Sequence, residues 1–78
     1  MVQLYLKVGC PFCNKVVDTI QDEIGVPFQA KFIHDDEVVQ ELVDRGGKRQ
    51  VPYLVDERNQ VEMYESDDII SYLRNQYA

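Results

Sequence analysis

The sequence has 78 residues, 45% of them hydrophobic, and a formal net charge of −6. A chain this short buries only about 60% of its unfolded surface, so a single domain spanning residues 1–78 is expected, without room for a second core. The acidity argues against a nucleic-acid partner, which wants a basic face, and the apolar share argues against disorder.

Val2, Leu4 and Leu6 alternate with Gln3 and Tyr5, which predicts a strand with one clearly apolar face ending at Gly9. This stretch is too short for a signal-peptide core or a membrane span, so a cytoplasmic protein without a membrane partner is expected; a monomer is also expected. From Pro11 the period changes. Cys13, Val16, Val17, Ile20 and Ile24 recur at three- and four-residue steps, predicting an amphipathic helix that Gly25 stops. Cys10 then stands at its N-terminus, with Pro11 at the favoured first helical position.

Phe28 to Ile33 alternates again and predicts a second strand facing the same core, introduced by Val26-Pro27. His34-Asp35-Asp36 supplies a cap for a second helix carrying Val38, Val39, Leu42 and Val43, closed by Gly46-Gly47. Tyr53-Leu54-Val55 and Val61 to Tyr64 flank a charged turn and suit an antiparallel hairpin. Ser66 is expected to cap a last helix, with Asp67 and Asp68 in its first turn and Ile69, Ile70, Leu73 and Tyr77 on its buried side. The order βαβαββα is α/β: a right-handed crossover makes the first two strands parallel, and the hairpin adds antiparallel strands to one mixed sheet.

The chemistry concentrates in Cys10-Pro11-Phe12-Cys13, which holds both cysteines of the chain. A thiol exchanges with a disulfide only as its thiolate, and free amides with the helix dipole stabilise that anion at a helix N-terminus. Cys10 has that position, while Cys13 lies deeper in the first turn, close enough to attack a disulfide formed on Cys10. Lys7 would favour the thiolate further if its side chain turns toward the sulfur. As a structural staple the pair would close a loop so small that it constrains the unfolded chain by only about 2 kcal/mol. Half a zinc site is present, without a second pair and with His34 as the one histidine, so no metal is expected.

Taken together, Lys7-Val8-Gly9-Cys10-Pro11-Phe12-Cys13, Gln50-Val51-Pro52 and Glu65-Ser66-Asp67-Asp68 resemble the glutaredoxin family along essentially the whole chain. The resemblance implies a thioredoxin-like fold, a four-stranded mixed sheet flanked by helices, and a glutathione-dependent thiol–disulfide oxidoreductase. In that family Cys10 corresponds to the nucleophile and Cys13 to the resolving thiol. Lys7 and Phe12 would flank bound glutathione, the reducing co-substrate. Pro52 would be cis and face Cys10, and Val51 would pair with the tripeptide as an added strand. The segment of Glu65, Ser66 and Asp67 would receive the γ-glutamyl carboxylate. Disulfide-containing or glutathionylated proteins would be the other partners.

Two departures stand out. Gln50 replaces the usual Thr before Val-Pro, and Tyr64-Glu65 replaces a Gly-Gly pair. The second change resembles the N-terminal domain of glutathione transferases, where Glu-Ser binds the same glutamyl group; a free-standing transferase is not expected from these 78 residues, which hold no helical C-terminal domain. A thioredoxin-like hydrogen donor fed by a reductase and a glutathione-ligated [2Fe–2S] carrier are the alternatives. Arg49, with Lys48, is a candidate for glutathione's glycyl carboxylate. Tyr53 reads as a core aromatic, and His34 as a solvated turn residue. The acidic run Asp35-Asp36-Glu37 reads as a helix start.

Overall fold

Alternation and helical period partition the chain as expected. The computed structural model describes all 78 residues, in the order β1 (Val2–Leu6), α1 (Pro11–Thr19), β2 (Phe28–Phe32), α2 (Asp36–Gly46), β3 (Tyr53–Asp56), β4 (Val61–Tyr64) and α3 (Ser66–Tyr77). The sheet runs β2-β1-β3-β4. β1 pairs parallel with β2, Leu4 opposite Ala30, and antiparallel with β3, Leu4 opposite Leu54. β3 and β4 form the expected hairpin, Leu54 opposite Met63.

A central strand has two covered faces, and β1 uses both. Val2, Leu4 and Leu6 join Leu54, Cys13, Val16, Ile20, Ile69, Ile70 and Leu73 in the larger core, beneath α1 and α3. Tyr5, expected on a polar face, is fully buried instead, packing with Tyr53, Val55, Ile33 and Leu42 beneath α2. Its hydroxyl donates to Glu41, and the Tyr53 hydroxyl donates to Glu62 at 2.7 Å, so neither buried phenol is left unpaired. Leu42 is the one fully buried side chain of α2, and truncating it to Ala would cost roughly 2–5 kcal/mol.

Three local details differ from the sequence reading. The first helix does reach Ile24, but its last turn, Ile20–Ile24, is π-helical and ends where Gly25 adopts φ +74° and its N–H reaches Ile20 O at 2.6 Å. Asp35 alone caps α2, its Oδ1 accepting from Glu37 N at 2.9 Å. Ser66 is not the cap of α3: it is the first helical residue, and Glu65 precedes it at φ +73° with no side-chain capping bond. A hydroxyl one residue too late cannot reach back to the first-turn amides in cap geometry.

Asp56, at the end of β3, ties the far end of the molecule together. Its Oδ2 accepts from the hydroxyls of Tyr72 and Tyr77, both at 2.6 Å, and from Asn59 Nδ2 at 2.9 Å. Burial by itself opposes the charge, but these donors outweigh it and hold the carboxyl at about 2.

Candidate active site

β1 delivers the chain to a tight turn in which Gly9 takes φ +79°, a conformation open to glycine at little cost. Cys10 follows as the N-cap of α1, in extended geometry, and its Sγ accepts from Cys13 N at 3.3 Å. The bond sets a backbone donor against the sulfur at the N-terminus of α1, where the helix dipole is positive. Cys10 is half-buried and Cys13 is 2% exposed, so the two sulfurs meet solvent very differently. Burial, followed by the hydrogen bond with Cys10, pushes the Cys13 thiol up to about 12. The expected asymmetry of the pair is present in the geometry.

Beside the cysteine turn lies a groove of about 380 Å³ lined by Phe12, Gln50, Val51, Pro52, Glu65, Ser66 and Asp67. Six of the residues implied by the resemblance therefore share one surface, joined by Gln50, which the sequence marked only as a departure. The Val51–Pro52 bond is cis, as expected, and it is the one cis bond in the chain, leaving Val26–Pro27 trans. Gln50 Nε2 donates to Glu65 Oε1 at 3.2 Å across the groove. On its other rim Asp67 Oδ1 pairs with Lys15 Nζ at 2.6 Å, bridging α3 to α1. Because no side chain caps α3, its first-turn amides are free to meet an anion, with the positive end of the dipole behind them.

Lys7 and Arg49 are not in that groove. They line a separate depression of about 220 Å³ with Val8, Ile33 and His34. Of the cations, Lys15, Lys31, Arg45 and Arg74 are engaged in ion pairs, whereas Lys7 and Arg49 are not. Unspent positive charge, from Lys7 and Arg49, thus gathers beside the cysteine turn of an acidic chain, and His34, a solvated turn residue as expected, lines the same depression. Nothing in the local sequence near His34 pointed there, because Arg49 lies on a different loop. Lys48 turns away, its Nζ 5.5 Å from the Tyr64 ring centre. Tyr53 is a core residue, 3% exposed. Phe12 and Val8 are exposed apolar side chains beside the cysteine turn, at 64% and 77%. Nowhere do three or more His, Cys, Asp or Glu side chains converge to hold a metal ion, and no helix is long and apolar enough to cross a membrane.

A parallel β1/β2 pair, an antiparallel hairpin, a cysteine at a helix N-terminus and a cis proline beside it define a thioredoxin-like domain. Residues 4–78 match the family described as glutathione S-transferase, N-terminal domain, and the chain belongs to that family. The likeness to transferases read from Glu65-Ser66 alone thus extends over nearly the whole sequence, whereas membership of the glutaredoxins is not what the match returns. Among solved structures, a delta-class glutathione transferase of Nilaparvata lugens is similar over 100% of this chain, with 26% identity and a TM-score of 0.82. A glutathione S-transferase of the Antarctic clam Laternula elliptica is similar over 97%, with 26% identity and a TM-score of 0.80. A trimeric glutathione transferase of Leishmania shares 29% identity over 100% of the chain, with a TM-score of 0.78. The chain spans 37%, 35% and 18% of those three proteins. No curated protein matches it.

Proposed function

We propose that the protein is a glutathione-dependent thiol–disulfide oxidoreductase in which Cys10 is the nucleophile and Cys13 the resolving thiol. The observation that carries this reading is the Cys13 N–H directed at Cys10 Sγ at 3.3 Å, beside a groove that ends on the uncapped amides of α3. Glutathione is the co-substrate that fits: an extended tripeptide along Val51, with its γ-glutamyl carboxylate at the amides of Ser66 and Asp67. Glu65 would hold its ammonium group, and Phe12 would cover its cysteinyl portion. Its glycyl carboxylate would face the Lys7, Arg49 and His34 depression.

The Cys10 thiolate attacks the glutathione sulfur of a mixed disulfide, and the other thiol leaves as its thiolate. A second glutathione thiolate then attacks the glutathione sulfur bonded to Cys10, releasing glutathione disulfide and returning the Cys10 thiolate. On a protein disulfide, the Cys10 thiolate attacks one sulfur, the other leaves as a thiolate that takes up a proton, and Cys13 closes the cycle instead. It loses its proton and attacks Cys10 Sγ, expelling the reduced protein, and two glutathiones then reduce the Cys10–Cys13 bond. Disulfide-bearing or glutathionylated proteins are the proposed partners, and the cytosol, with its pool of reduced thiol, is the proposed compartment.

The test is mass spectrometry of the Cys13→Ser protein mixed with oxidised glutathione. One glutathionyl adduct on Cys10 is expected, and a protein that stays unmodified would overturn the reading.

A further inference from the structure

We propose that Tyr64, through its hydroxyl, is the positioning residue that sets the wall of the glutathione groove. This inference rests on the proposed glutathione co-substrate. The loop after α2 carries Arg49 into the cationic depression and Gln50 and Val51 into the groove, so its placement fixes the spacing of both. At the loop's start Lys48 offers a backbone N–H and a backbone carbonyl, and one phenol takes both. The Tyr64 hydroxyl accepts from Lys48 N at 3.1 Å and donates to Lys48 O at 2.9 Å. Using donor and acceptor together on one residue fixes orientation as well as distance.

The phenol is itself held from three sides. Its ring packs on Tyr53 with centroids 4.4 Å apart, and Lys48 Nζ lies 5.5 Å from its centre. Gly46, the last residue of α2, leaves it the necessary room: a Cβ there would fall 2.7 Å from Tyr64 Cζ, closer than real contacts allow. Glycine in a helix is a poor choice unless something must approach it, and here the approaching group is the Tyr64 phenol. Tyr64 is not among the residues that line the groove. It acts through Lys48 on residues that do.

Three variants test this. Tyr64→Phe keeps the ring and removes the two hydrogen bonds; the KM for glutathione should rise roughly three- to ten-fold with kcat within about two-fold, as loss of one or two exposed hydrogen bonds would give. Alkylation of Cys10 by iodoacetamide, which needs no groove, should be unchanged. Hydrogen exchange of the Lys48 amide should quicken in the free protein. Gly46→Ala should also raise that KM although alanine is the better helix former, because its Cβ displaces the phenol. Adding it to Tyr64→Phe should raise KM little further, since the hydroxyl's hold is already lost. A Tyr64→Phe protein with wild-type KM overturns the inference and leaves the proposed function standing, as do effects of the two substitutions that simply add. A wild-type protein that binds no glutathione overturns both.

Discussion

The backbone N–H of Cys13 points at the sulfur of Cys10, while the sulfur of Cys13 is sealed in the larger core. One residue therefore directs its amide at the neighbouring sulfur and withholds its own thiol. Cys10→Ser should abolish turnover of glutathionylated substrates. Cys13→Ser keeps the amide, so it should retain most of that activity and lose reduction of protein disulfides. The two assays run on both variants check this, and equal losses in all four would contradict the assigned roles.

The pH dependence of stability should carry the signature of Asp56. Its folded-state value, about 2, lies below the ordinary carboxylate range, so the charged form is the one that folding favours. The sign follows: the contribution, roughly 2 kcal/mol, is complete above the unfolded carboxylate value near 4 and is lost as pH falls toward 2. Tyr72→Phe removes one of its short hydrogen bonds and should cost about 1 kcal/mol at neutral pH. The variant's loss should shrink at pH 2, which denaturant titration at both pH values would reveal.

Charge reversal at Lys7 should weaken glutathione turnover, because Lys7 is one of the unpaired cations of the depression beside the groove. Arg58→Glu changes net charge equally, and Arg58 lies in a separate cavity with Asp56 and Tyr77 at the far end of the sheet. The KM for glutathione should rise several-fold for Lys7→Glu, stay near wild type for Arg58→Glu, and the difference should fade as salt is raised. Identical responses would mean that overall charge, not the depression, governs binding. Lys31 is the poorer control, since it pairs with Glu41 and lies over the Tyr5 ring.

Glu65 sits at φ +73° and ψ +118°, a region that favours glycine. Glu65→Gly should therefore stabilise the fold by roughly 0.5–1 kcal/mol after allowing for the extra freedom of glycine in the unfolded chain, a few degrees in Tm. The same change removes the groove carboxylate that Gln50 contacts, and glutathione affinity should fall. Thermal unfolding and a glutathione titration measured together would show gain and loss in one protein.

Sequence alone determined what depends on neighbours along the chain. The period of β1, the change of period at Pro11, the acidic turn before α2 and the glycine stops each act within a few residues, and the elements formed there, although the expected Ser66 cap of α3 did not. The placement of the cysteine pair at a strand-to-helix junction was legible for the same reason. What the tertiary structure decided involves residues far apart in sequence. Tyr5 is buried because α2 packs across the second face of a strand whose alternation suggests one covered face. Lys7 and Arg49 share a depression apart from the groove because β1 and the loop after α2 end at the same rim of the sheet. Gln50 meets Glu65, and Tyr64 grips Lys48, only once the hairpin has brought β4 alongside that loop. Periodicity reports which side of an element is apolar; it carries no term for what another element, folded back over tens of residues, will set against the remaining side.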